Sequence, residues 1–254
     1  MRPVLLLLAT TPALIAQTMP AERQVLAMGT RFSLRLETGG RAEEAALAEV
    51  ARIEAACSTW RPDSAWSRLN AAQGEAVALD PEWISLLTRV QSWSRATSGA
   101  FDPVLRALMQ AWGIRQGGRV PDGAELAAAR TASGSALLQL DEIRGTARLS
   151  QPHAGLEEGG FLKGYALDAA LLATQREGST SGLLDFGGQI LVWGAPLPVD
   201  VAHPRQRQRA LLRIVLANAS LSTSGCSERG RHLLDPRTGK PCPDWGAVSV
   251  VCPS

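Results

Sequence analysis

Only two lysines occur among the 26 basic residues of this chain, Lys163 and Lys240. Lys163 sits in Gly159-Gly160-Phe161-Leu162-Lys163-Gly164-Tyr165-Ala166-Leu167-Asp168, directly after Glu157-Glu158. Paired glycines at a helix start leave amide N–H groups bare and let a ligand approach the backbone. A lysine one turn in could meet the same anion, while Asp168 falls near the opposite side of the helix. The plainer alternative is a solvated lysine on an ordinary helix. A second polar stretch, Ser222-Thr223-Ser224-Gly225, offers hydroxyls beside a glycine, a pattern that binds phosphate oxygens. It is followed by His232-Leu233-Leu234-Asp235-Pro236-Arg237-Thr238-Gly239-Lys240. Imidazole titrates near neutral pH and suits general-base work, although a lone histidine is more often structural. Asp235 to Gly239 also reads as a hairpin turn. Two further stretches, Met28-Gly29-Thr30 and Ser98-Gly99-Ala100-Phe101-Asp102-Pro103, carry little alone. The latter reads equally as a helix C-cap followed by an N-cap.

These residues must be held by regular elements, and the hydrophobic periods predict several. Residues 30–37 alternate Phe32, Leu34 and Leu36 with Arg31, Ser33 and Arg35, which predicts a half-buried strand. Leu47, Val50, Ile53 and Cys57 recur at helical spacing over residues 41–57. Asp80-Pro81 reads as an N-cap with a first-turn proline, ahead of a helix that Gly99 terminates. An Ala-rich helix ends near Thr131, strands are expected at residues 136–140 and 146–150, and a helix at 161–174. The rest is strand-like, at residues 183–186, 189–193, 210–216 and 247–251. Helices and strands mix without strict βαβ alternation, so the expected class is α+β in one domain.

Composition excludes some functions. With 26 Lys and Arg against 24 Asp and Glu in 254 residues, the net charge is +2, and no basic surface for nucleic acid is implied. The run Arg205-Gln206-Arg207-Gln208-Arg209 reads as a solvated loop or strand edge. Cys57, Cys226, Cys242 and Cys252 form no CxxC pair, which speaks against zinc and leaves disulfides or buried thiols open. One Arg, an apolar run over residues 4–9 and small Ala16 resemble a short secretory signal over residues 1–16. That run is too short to span a bilayer. An exported or periplasmic protein is expected, with membrane association only through an uncleaved signal or a partner. No cysteine precedes Cys57, so no lipid anchor is expected.

Taken in order, the motifs resemble the ApbE-type FAD:protein FMN transferases. The resemblance runs from Met28 to the end of the chain. It is carried by Met28-Gly29-Thr30, by Ser58-Thr59-Trp60-Arg61-Pro62-Asp63-Ser64 with Arg68-Leu69-Asn70, and by Gly99-Ala100-Phe101-Asp102-Pro103. It continues through the Gly-Gly-x-x-Lys-Gly-Tyr-Ala-x-Asp stretch, Phe186-Gly187-Gly188, and the run from Thr223 to Gly239. The resemblance implies a single T-fold-like α+β domain over residues 17–254, with mixed, mainly antiparallel sheets and flanking helices. It implies cleavage of FAD and attachment of FMN to a Thr or Ser of an acceptor flavoprotein, with release of AMP and a need for Mg²⁺. Met28, Trp60, Ala100, Phe101 and Asp102 would line the pocket for the ring systems of FAD. Trp60 stands where the family often has Tyr. Lys163 would face the phosphates, Glu157 and Leu233 would contact FAD, and Thr223 and Ser224 would add polar contacts. His232 would take the acceptor's proton, and Gly160 would offer its carbonyl to Mg²⁺.

Two departures accompany the match. Glu157-Glu158-Gly159-Gly160 stands where the family usually has Asp-Leu-Gly-Gly, so the carboxylate sits on a longer arm. The family also continues past the strand at 247–251 into an Ala-Asp-Ala-x-x-Thr helix that holds the metal, and this chain ends at Ser254. The domain is therefore expected to be C-terminally incomplete, through truncation or degeneration. A non-catalytic periplasmic FAD-binding protein, or an FAD pyrophosphatase that needs no acceptor, are the alternative readings.

Overall fold

The chain is seen here as a computed structural model that describes residues 22–225 and 232–253. The expected signal segment and Cys226 lie outside the described residues.

A two-residue turn at Met28-Gly29 joins β1 (Arg23–Ala27) to β2 (Thr30–Leu36). Both turn residues have positive φ, 49° and 69°, as the tightest antiparallel hairpins require. Two helices follow, α1 (Arg41–Cys57) and α2 (Ala65–Ala71). Ser64 caps α2, its side chain accepting from the Ser67 amide. After the short β3 (Val77–Ala78) comes α3 (Pro81–Ala96), with Asp80 at the N-cap and Pro81 in the first turn. Then come α4 (Arg106–Ala111), α5 (Gly123–Thr131), β4 (Leu138–Asp141) and β5 (Thr146–Leu149). A 3-10 turn over Glu158–Gly160 opens α6 (Leu162–Arg176). The remaining elements are β6 (Gly182–Phe186), β7 (Gln189–Trp193), β8 (Leu197–His203), β9 (Gln206–Leu216), β10 (Ala219–Gly225), β11 (Leu234–Asp235), β12 (Lys240–Pro241) and β13 (Ala247–Pro253).

The main sheet has six strands in the order β1-β2-β6-β7-β10-β13, and each neighbouring pair is antiparallel. The expected mixed sheets are thus antiparallel at every described pairing. On one face of the sheet, Phe32, Leu34, Leu36, Leu184 and Phe186 meet the apolar stripes of α1 and α6. Phe32 and Phe186 stack with centroids 4.7 Å apart. The other face carries Leu183, Ile190, Val192 and Leu221, which pack under the β8–β9 hairpin through Val199, Val201 and Leu216. A strand buried on both faces reads as a continuous apolar run, as β7 does.

The sequence periods locate α1, α3, α5, α6 and the strands β2, β5, β6 and β7. They miss β1, α2, α4, β8 and β10. β10 reads Ala-Ser-Leu-Ser-Thr-Ser-Gly, and its small polar residues suggest a loop. Pairing with β7 on one side and β13 on the other makes it a strand regardless of propensity.

Candidate functional site

The first turns of α6 face the end of α3 and the inner face of β7 and β10, leaving a cleft of about 350 Å³ between them. That volume lies at the lower end of the ~300–1,000 Å³ usual for ligand sites. Its walls are aromatic: Trp93 from α3, Phe101 from the loop after it, and Phe161 and Tyr165 from α6. Phe101 meets Trp93 and Phe161 edge to face, with centroids 6.4 and 6.2 Å away. Tyr165 turns its ring to the cleft because its hydroxyl is occupied, donating to Glu82 Oε1 at 2.5 Å. Glu82 is in turn gripped by Arg52 through two contacts of 2.9 and 2.7 Å. The polar lining comes from Arg89, Asp168, Gln189 and Ser220. Asp168 is exposed at the mouth, yet the cleft walls still desolvate its carboxyl and raise its pKa, against the opposing charge of Arg89.

Gly160 and Gly164 form the floor, and the close approach at Gly164 explains that glycine. A Cβ there would come within 2.7 Å of Gln189 Nε2. The side chain of Gln189 thus rests on the helix and locks the β6–β7 end of the sheet to α6. That end turns at Gly187-Gly188, both at positive φ, and the Gly188 amide donates to Asp185 Oδ1 at 2.7 Å.

The residues expected to bind or react fall into several places. Phe101 and Gly160 line the cleft, and Ala100 lies exposed beside Phe101. Lys163 is on the same turn of α6, and its Nζ reaches back to the Gly159 carbonyl at 3.4 Å. Met28 sits at the end of the sheet, its amide donating to Glu54 Oε1 on α1 at 2.8 Å. Asp102 is buried and is not among the residues lining the cleft. Its Oδ2 accepts from Ser94 Oγ and the Ser135 amide, and its Oδ1 from the Val104 amide. Its carboxylate therefore fixes the loop that presents Phe101.

Thr223 and Ser224 are consecutive in a strand, so they point to opposite faces of the sheet. Ser220 lines the cleft, which puts Ser222 and Ser224 on that face. Thr223 lies on the other face, where its Oγ1 is 2.8 Å from Ser249 Oγ. His232 and Leu233 immediately precede β11, and the Leu233 carbonyl accepts from the Cys242 amide. The turn from β11 to β12 docks on α4 and α5. Trp112 Nε1 donates to the Gly239 carbonyl at 2.7 Å, and Arg130 donates to the Arg237 carbonyl at 3.2 Å. Neither His232 nor Leu233 is among the residues lining the cleft.

Beside the cleft, Trp60 and Glu157 belong to a cluster that sequence reading did not anticipate. Its centre is Arg115, which donates to Thr59 Oγ1 at 2.6 Å and to Glu157 Oε2 at 2.8 Å, and lies 3.7 Å from Glu158 Oε2. Glu158 also accepts from the Thr59 amide and hydroxyl. Arg115 stands in the glycine-rich segment between α4 and α5, 42 residues from Glu157, and no spacing rule links them. Burial, and next the charge of Glu158, raise the Glu157 pKa above the usual carboxylate value, with Arg115 opposing. The folded chain holds that proton at pH values where the unfolded chain has released it. Rising pH through that window therefore takes stability from the fold. Glu157→Gln should flatten this part of the profile when thermal midpoints are compared from the ordinary glutamate pKa upward. An unchanged slope would place the titration elsewhere.

Mg²⁺ takes oxygen ligands in near-octahedral geometry. Among the described residues no group of three or more His, Cys, Asp or Glu comes together in a way that could hold a metal. Gly160 shares the cleft with one carboxylate, that of Asp168.

Comparison with known proteins places this geometry. The FAD:protein FMN transferase of Treponema pallidum (strain Nichols) is 29% identical over 267 aligned positions, covering 91% of this chain and 74% of its own length. The crystal structure of the ApbE protein from Thermotoga maritima superimposes with a TM-score of 0.83 at 26% identity, over 91% of this chain and 81% of that one. The apo flavinyl transferase ApbE of Pseudomonas stutzeri shares the fold, with a TM-score of 0.79 at 23% identity, over 91% and 79%. The ApbE family model matches residues 28–254, from the β1–β2 turn through β13. By that match and the shared fold, this chain belongs to the ApbE family.

Proposed function

We propose that this chain is a FAD:protein FMN transferase that moves FMN from FAD to a Thr or Ser hydroxyl of an acceptor flavoprotein and releases AMP. The observation that carries the reading is the aromatic-walled cleft at the Gly-Gly start of α6, in a chain of this family. Flat rings stack on or edge against such walls, and Gly159 and Gly160 leave backbone open to a phosphate. Lys163, one turn along, would add a cation on the phosphate side.

In the reaction, the acceptor hydroxyl oxygen attacks the phosphorus of the FMN half. A new phosphoester bond forms, the bond from that phosphorus to the bridging oxygen breaks, and AMP leaves with the bridging oxygen. The hydroxyl proton must go to a base, and His232 is the proposed acceptor. Phe101 and the Trp60 ring would orient the ring systems, while Met28 and Glu157 shape the surroundings. We also propose export to the periplasm, on the strength of the apolar run near the start of the chain.

The test mixes the purified chain with FAD and an acceptor domain, with Mg²⁺ or with a chelator. An FMN mass increment on the acceptor together with free AMP is the expected result. FAD retention without increment would favour a binding protein. FMN and AMP without any acceptor would favour a pyrophosphatase. A chelator-insensitive increment would remove Mg²⁺ from the reaction.

A further inference from the structure

Trp60 is two-thirds exposed, at 66%, an unusual setting for an indole. The Arg115 guanidinium carbon lies 4.1 Å from its ring centroid, within the distance at which a cation is drawn to an aromatic face. A guanidinium is flat and stacks on aromatic faces as an ammonium does not. Arg115 is itself fixed from behind by Thr59, Glu157 and Glu158. Glu158 in turn holds the backbone amide of Thr59, the residue before Trp60. One face of the indole is thus covered by a fixed cation, and the exposure leaves the other face open to a planar ligand.

We infer that Arg115 is a positioning residue that holds Trp60 as a one-sided stacking platform for a ring system of FAD. The role rests on FAD being the ligand, as proposed above. Arg115 does not touch the ligand; it acts through the ring it backs. A free Trp side chain would lose rotamer freedom on stacking, and a ring already held loses less. The same cluster ties the platform to the 3-10 turn that opens α6, so the ring stays in fixed relation to Gly160 and Lys163.

The experiment measures FAD dissociation constants by equilibrium dialysis for the wild type, Trp60→Leu, Arg115→Lys and the double variant, and records the flavin absorbance of bound FAD. Arg115→Lys keeps a positive charge beside Glu157 and Glu158 but lacks the flat face. Trp60→Leu changes an exposed residue outside the core. Each single variant should weaken FAD binding by about fivefold, the scale of one aromatic contact. The double variant should be no weaker than Trp60→Leu alone, since removing the ring removes what Arg115 acts through. The absorbance perturbation should fall in both single variants. In transfer assays, KM for FAD should rise while kcat at saturating FAD holds. Wild-type affinity in either single variant overturns the role. So does a double variant whose loss is the product of the two single losses, because Arg115 then acts independently of Trp60. Absence of FAD binding by the wild type overturns the FAD reading itself, and the role with it.

Discussion

Replacing His232 by alanine is expected to lower FMN transfer by a factor of about 10²–10⁴, the usual contribution of a positioned general base. FAD binding should stay within about twofold of wild type, the size of an effect below ~0.4 kcal/mol. A Thr or Ser hydroxyl is a weak nucleophile until its proton is taken, and its oxygen must bond to phosphorus in line with the departing AMP. His232 is half-buried and is not among the residues lining the aromatic cleft, and the segment that follows it is anchored by backbone acceptors. The anchors are the Leu233 carbonyl to the Cys242 amide, the Trp112 indole to Gly239, and Arg130 to Arg237. None of the three uses the imidazole, and a thermal midpoint measured alongside separates a catalytic loss from unfolding. Dialysis with FAD and mass spectrometry of the acceptor separate the two readouts. Full turnover in the variant would make His232 a structural residue and send the search for the base elsewhere.

Asn70→Ala is expected to cost about 2–4 kcal/mol of stability. Asn70 is buried, and its amide works in both directions on Leu156: Nδ2 donates to the Leu156 carbonyl at 3.1 Å, and the Leu156 amide donates to Oδ1 at 2.7 Å. Leu156 itself is wholly buried. Alanine would leave a backbone N–H and a C=O without partners, and each such group costs about 1–3 kcal/mol. For a domain of this size the thermal midpoint should fall by roughly 4–16 °C. Denaturant unfolding should show a lower midpoint with an unchanged slope. The position also matters to the site. Leu156 immediately precedes Glu157 and Glu158, so freeing its backbone loosens the carboxylates that hold Arg115. FAD affinity should therefore drop along with stability. A loss under about 0.5 kcal/mol would mean that water or a shifted backbone satisfies Leu156.

These two residues differ in how visible they were. His232 stands out because the chain has three histidines and this one sits in a motif. Asn70 is part of a quoted motif too, but its partner is 86 residues away, and spacing says nothing about such a pair. The resemblance implies Asp102 as an FAD contact, and spacing does not show that its carboxylate also accepts from Ser94, Val104 and Ser135, partners that burial of a carboxylate requires. Thr223 and Ser224 read in the sequence as adjacent polar contacts, and the alternation of a strand sends them to opposite faces of the sheet.

The sequence alone determined the α+β class, most of the long helices, the core-facing strands and the ordered motifs by which the family was recognised. Periodicity does this because burial of one face is a local pattern, repeated every 3.6 or 2 residues. The tertiary structure decided which motif residues share a surface. The cleft joins α3, α6, β7 and β10, and the platform joins Trp60 to Arg115 and Glu157. Those contacts cross tens of residues and depend on sheet order and side-chain direction, which no local pattern encodes. Lys163 illustrates both halves. Its rarity and its glycines mark it in the sequence, but only the fold shows that its neighbours Gly160, Phe161 and Gly164 line an aromatic cleft and that its Nζ reaches the Gly159 carbonyl.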